Sequence, residues 1–167
     1  MSDHSNAPNH PSVPAMNWIS LGGGRICLGP PPFDVDVSWF SQNGISHIAT
    51  VLGEHEQASE IRQLAAQANA EWLWVSYAHT GSASEGELMH LQQYVVELRQ
   101  SLAEGAAIYL HCDNTRLRSQ LLFYALCHYC GVPSASAYCL LHSIAARPAN
   151  SVPRKELAWA AALGQSI

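Results

Sequence analysis

His111-Cys112-Asp113-Asn114-Thr115-Arg116-Leu117-Arg118-Ser119 sets a cysteine, five intervening residues and an arginine between a strand-like and a helix-like segment. Before it, Ala107-Ile108-Tyr109-Leu110 is short and apolar with β-branched and aromatic members, the composition of a buried strand. After it, Ser119 to Cys130 is apolar on most faces, and Gly131 with Pro133 supplies a helix stop. Cys112 is thus expected at the end of a strand and Arg118 at the start of a helix. A loop in that position turns backbone N–H groups inward, and the helix dipole adds roughly half a positive charge. The stretch reads as an anion cradle built around a sulfur.

Each residue type suits that chemistry. A thiol in such a field is expected to ionise below the ~8.5 of free cysteine, and the thiolate is the nucleophile. Arg118 has the planar fork that grips two oxygens of a phosphate. Ser119 is placed to hydrogen-bond the sulfur and ease its departure. His111 is expected to fix the loop through backbone contacts and to help stabilise the thiolate. Asp113 is expected to turn its side chain away from the anion, and Arg116 is read as a solvated charge ahead of a second phosphate contact.

The rest of the chain alternates strands and helices. Strands are expected over 18–21 and 25–28 around Gly22-Gly23-Gly24, then over 47–52, 72–75 and 107–110. Helices are expected over 35–43, 54–70, 84–104, 119–130, 134 to about 146, and 153–163. Ser84 and Glu87 form a capping-box pattern ahead of the longest. This order implies an α/β fold with a mostly parallel central sheet flanked by helices. In such sheets ligands bind beyond the carboxyl ends of the strands, where Cys112 and the loop Ser76–Ser82 both fall.

At 167 residues and 48% hydrophobic, the chain has enough apolar material for one ordinary core. Residues 1–15, with three prolines and no aromatic residue, are expected to be a disordered tail, leaving 16–167 as the domain. A net charge of −5 and a single lysine, Lys155, argue against a nucleic-acid partner. No apolar run approaches a membrane span, and the start lacks a signal-peptide pattern, so a cytoplasmic location is expected. Five cysteines without an export signal read as free thiols. Cys127 and Cys130 have CxxC spacing, but late in an apolar helix, where core packing is the simpler reading. The histidines show no zinc-like pairing with cysteines.

His111-Cys112 followed by Arg118-Ser119 resembles the His-Cys-x5-Arg-Ser/Thr signature of the cysteine-dependent protein phosphatases. Arg25-Ile26-Cys27-Leu28-Gly29-Pro30-Pro31, Gly44 to Ile48, Glu54 to Glu56, Trp72 to Val75 and Ala145-Ala146-Arg147-Pro148 fall in the order seen in compact dual-specificity phosphatases similar to kinase-associated phosphatase. The resemblance spans roughly 17 to 163. It implies a dual-specificity-phosphatase-like fold, a phosphocysteine intermediate, no metal or other cofactor, and phosphorylated protein, foremost phosphotyrosine, or a small phosphate monoester as partner. It makes Cys112, Arg118 and Ser119 catalytic and His111 to Arg118 the phosphate loop.

Two departures stand out. Where the family pattern has glycine, this chain has Thr115, and Leu117 replaces another frequent glycine, so the turn is expected to be strained. The family's general-acid aspartate has no counterpart, since no aspartate lies between Asp36 and Asp113. His79 falls near that position and is the candidate acid; Glu85 and Glu87 are the alternatives. Proton donation is worth 10²–10⁴-fold in general, so its loss would leave a weak enzyme or a phosphate-binding pseudophosphatase. Sulfur transfer on a rhodanese-like loop is the remaining alternative.

Overall fold

The computed structural model describes residues 16–145 and 152–167. The expected tail and Arg147-Pro148 lie outside them. The five strands are β1 (Ile19–Leu21), β2 (Gly24–Leu28), β3 (His47–Val51), β4 (Glu71–Val75) and β5 (Ala107–His111). They form one sheet in the order β1-β2-β5-β3-β4, with β1 antiparallel to β2 and the other pairs parallel. Gly22 and Gly23, at φ 62° and 102°, make the bend between β1 and β2, a conformation that side chains resist.

The last strand takes the central place. β5 lies between β2 and β3, and all five of its residues are buried. This fits its continuous apolar run, because a parallel strand covered on both faces has no polar side to show. Successive side chains alternate between two cores. Ile108 and Leu110 join the larger one, while Tyr109 meets Phe40 and Ile61 in the smaller.

Helices α1 (Val37–Gln42) and α2 (Ala58–Gln67) cover the smaller core. Helices α3 (Glu85–Ala103), α4 (Leu117–Tyr129), α5 (Ser134–Ile144) and α6 (Arg154–Gln165) cover the larger one. The expected capping box is present: Ser84 Oγ accepts the Glu87 N–H, and Glu87 Oε1 accepts the Ser84 N–H, both at 3.2 Å. Gly164 of α6 sits so close to the Ala125 carbonyl of α4 that a Cβ would collide with it.

Some boundaries differ from expectation. Helix α2 begins at Ala58, not Glu54, because Gly53 to Gln57 forms a turn closed by Glu56 Oε2 on the Gly53 N–H at 2.6 Å. Gln57 leaves that turn in the left-handed region, at φ 63°. Helix α4 begins two residues early, at Leu117, so Arg118 lies in its first turn. Among the described residues no helix is long and apolar enough to cross a membrane.

Candidate active site

Three loops leave the carboxyl ends of β2, β3 and β5 side by side and enclose a cavity of about 250 Å³. Phe33 and Asp34 come from the first, Glu56 from the second, and Cys112, Asp113 and Asn114 from the third. Adjacent parallel strands bring their loops together at such an edge whatever their separation in sequence.

Cys112 is 1% exposed, and its sulfur is held by the start of α4. Sγ accepts the Ser119 N–H at 3.4 Å and lies 3.4 Å from Ser119 Oγ, whose own hydrogen goes to the Arg116 carbonyl at 3.2 Å. The sulfur is therefore aimed by a helix N-terminus, as the loop spacing predicts. Its acidity is not as expected. Burial pushes the thiol above its ordinary value, the Ser119 contacts pull it back only in part, and the Asp113 charge raises it further against Arg118. At neutral pH the resting group is a thiol.

Arg118 is almost wholly buried, and its two Nη atoms make three hydrogen bonds and one further ion-pair contact. Nη1 donates to Glu56 Oε2 and to the Tyr77 carbonyl, each at 2.7 Å. Nη2 donates to Glu56 Oε1 at 2.9 Å and reaches Asp113 Oδ2 at 3.0 Å. Tyr77 is itself anchored, its hydroxyl donating to the Ser82 carbonyl and its ring stacked on Trp159 of α6 at 6.1 Å. Asp113 does not point away. Its Oδ1 accepts the Thr115 N–H at 3.1 Å and the Thr115 hydroxyl, and stands 3.9 Å from Sγ. Sequence reasoning assigned Glu56 to a helix and missed its role; the readable signal was Gly53 followed by two glutamates at the ligand end of a central strand.

No protein-family model matches this chain, and no curated protein matches it in sequence. Solved structures do match. Kinase associated phosphatase, with its catalytic-site cysteine replaced by serine, superposes with a TM-score of 0.73 at 17% identity, over 91% of this chain and 94% of that one. Human DUSP28 gives 0.63 at 17% identity over 92% and 96%, and PTPMT1 in complex with PI(5)P gives 0.64 at 18% over 84% and 90%. The fold is that of the dual-specificity and tyrosine phosphatases.

Within this phosphatase fold His111 is a structural anchor. The Trp72 indole, a donor only, gives its Nε1–H to Thr50 Oγ1 at 2.9 Å. The Thr50 hydroxyl is then free to donate to His111 Nε2 at 2.7 Å, which leaves Nδ1–H to donate to the Cys112 carbonyl at 3.1 Å. A carbonyl accepts only, so this chain of bonds admits one tautomer of the neutral ring. Burial lowers the imidazole to about 4. His111 fixes the loop backbone as expected, but a neutral ring supplies no charge to a thiolate.

The strain expected at Thr115 and Leu117 falls elsewhere in this loop. The left-handed residue is Arg116, at φ 59°, just before α4. Thr115 instead ties its amide and hydroxyl to Asp113, and Leu117 enters the helix. The proposed acids also sort by position. His79 is 60% exposed in a neighbouring depression, its Nε2 3.9 Å from Glu87 Oε2. Glu87 is committed to the cap of α3 and held below the carboxylate range by Ser84, and Glu85 is exposed on the first turn. Neither His79 nor Glu85 nor Glu87 lines the cavity over Cys112; Asp34, which sequence reasoning did not consider, does.

Proposed function

We propose that this chain hydrolyses phosphate monoesters through a phosphocysteine on Cys112. The observation that carries the reading is the placement of Cys112 Sγ against the amide and hydroxyl of Ser119 at a helix start, with Arg118 locked alongside. The thiol releases its proton to water, and Sγ attacks phosphorus as the bond to the leaving oxygen breaks. Arg118 and the loop amides take up charge on the equatorial oxygens. The leaving oxygen needs a proton. Asp34 is favoured over His79 as its source, because Asp34 lines the same cavity and, among the described residues, enters no ion pair. Water then attacks the phosphocysteine, the phosphorus–sulfur bond breaks, and the Asp34 carboxylate takes the water proton. Ser119 Oγ, turned from the Arg116 carbonyl toward sulfur, would favour the departing thiolate.

Phosphotyrosine protein is the substrate class we favour. Phe33, 45% exposed on the cavity rim, offers an aromatic face for a phenyl ring. The free cysteines and the need for a reduced nucleophile support a cytoplasmic setting. A second reading has its own support: a resting thiol and a guanidinium already held by Glu56, the Tyr77 carbonyl and Asp113 suit a phosphate-binding relative with negligible turnover.

Hydrolysis of a small aryl phosphate from pH 5 to 8 by wild type and Cys112→Ser separates the two. Activity lost in the serine variant supports the phosphocysteine route, and activity retained there sinks it. Equal, background rates at every pH, with phosphotyrosyl peptide bound in an Arg118-dependent manner, favour the second reading.

A further inference from the structure

Asp113 holds the donors that a bound phosphate needs. An oxyanion attacked by Sγ has its phosphorus within about 3–3.5 Å of the sulfur, so its oxygens must fall among the groups ringing Cys112. Asp113 Oδ1 is already there, 3.9 Å from Sγ, and it occupies the Thr115 amide, a loop N–H. Oδ2 lies 3.0 Å from Arg118 Nη2 in an ion pair, and Nη2 also donates to Glu56. Two oxygens of one carboxylate thus bridge a loop amide and the guanidinium beside the sulfur, as two oxygens of a phosphate would.

The two carboxylates around Arg118 differ in position. Glu56 comes from the β3 loop, grips both terminal nitrogens of the guanidinium together with the Tyr77 carbonyl, and meets the loop through Arg118 alone among the described residues. Asp113 comes from the phosphate loop itself. We infer that Asp113 is a built-in competitor of the substrate phosphate, a residue that sets the affinity of the loop by occupying it, and that Glu56 is a positioning residue. The inference rests on the reading of this loop as a phosphate site. Hydrogen bonds to a charged acceptor are about twice as strong as neutral ones, so an entering anion must displace a strongly held group and also face its charge.

The test is calorimetric titration with inorganic phosphate at pH 7 and constant ionic strength. Wild type, Asp113→Asn, Asp113→Ala, Glu56→Gln and Arg118→Ala are compared after circular dichroism shows each to be folded. Asparagine keeps the side-chain oxygen that turns toward the Thr115 amide but removes the charge; alanine removes both. The expected result is a Kd lowered at least about tenfold in both Asp113 variants, equal to roughly one neutralised close charge pair, and not lowered in Glu56→Gln. Wild-type binding that depends on Arg118 but is unchanged or weakened in both Asp113 variants overturns the inference and leaves the phosphate site standing. A gain in Glu56→Gln alone also overturns it, by assigning the competition to Glu56. No binding by any variant at tens of millimolar phosphate, or binding indifferent to Arg118→Ala, overturns the phosphate site and the inference with it.

Discussion

Glu56 and Arg118, 62 residues apart in sequence, meet through two parallel hydrogen bonds of 2.7 and 2.9 Å. The pair joins the loop after β3 to the first turn of α4, and it aligns the guanidinium plane before any ligand arrives. Such fork-to-carboxylate geometry is among the stronger polar contacts in proteins. Glu56→Gln keeps the shape and loses the charge, so Arg118 loses its alignment. The expected outcome is a stability loss of roughly 1–2 kcal/mol, read by urea denaturation, with hydrolysis of aryl phosphate falling at least about tenfold.

Proton donation is tested by leaving group. With Asp34 as donor, Asp34→Asn slows hydrolysis of a poor leaving group by about 10²-fold and barely affects an activated one. His79→Ala, in the neighbouring depression and not lining the cavity over Cys112, leaves both rates near wild type. The reverse pattern assigns the proton to His79.

Cys112 should alkylate slowly at neutral pH, and faster as pH rises. Its thiol sits above the ordinary value because of burial, with a further push from Asp113. Mass-resolved labelling with iodoacetamide between pH 6 and 9.5 should give a steadily rising rate, and Asp113→Asn should move the curve to lower pH. A plateau reached below pH 7 would contradict the buried-thiol assignment.

Stability should fall in mild acid. His111 stays neutral in the folded protein down to about pH 4, while the unfolded chain takes up a proton near the ordinary 6.5. Between those values the unfolded state binds more protons, so folding weakens as pH falls through the window, by about 3 kcal/mol at 1.4 kcal/mol per unit. Glu56 is held below its ordinary value by Arg118, and Asp113 by Thr115 and Arg118 despite burial, which acts the other way. Their contribution is in place above the ordinary carboxylate range and is lost below it, as pH passes the folded values. Urea midpoints at pH 7, 5.5 and 4.5 measure the first window, and His111→Gln should flatten it.

Gly164→Ala should cost about 1–3 kcal/mol by overpacking. The added methyl would meet the Ala125 carbonyl and His128 Cβ where α6 crosses α4. A thermal melt reports it, since the residue is remote from the cavity over Cys112.

The sheet, the turn from β5 into α4 and the helix that follows were readable because each rests on local pattern: an apolar run for β5, a breaker pair after α4, a capping box before α3. Boundaries failed where a distant partner decides the backbone. The pattern from Glu54 to Ala70 is helical throughout, whereas Glu56 leaves it to close the Gly53 turn and to meet Arg118, a partner far off in sequence. The rotation of Asp113 into the loop was hidden for another reason: its partners, the Thr115 amide two residues on and a guanidinium five residues on, are placed by the loop's own backbone path. The tautomer of His111 depends on Thr50 and Trp72, which only the parallel register of β3 with β4 and β5 brings within reach.

The stack of Tyr77 on Trp159 makes the order of synthesis matter. Chains are made from the N-terminus, and by the time Ser119 has appeared every side chain bonded to Arg118 exists. The carbonyl that completes the guanidinium's set still belongs to a tyrosine whose ring has no neighbour from α6 until some forty residues later. A nascent chain therefore carries Cys112 and Arg118 before it carries the α6 ring that packs on Tyr77.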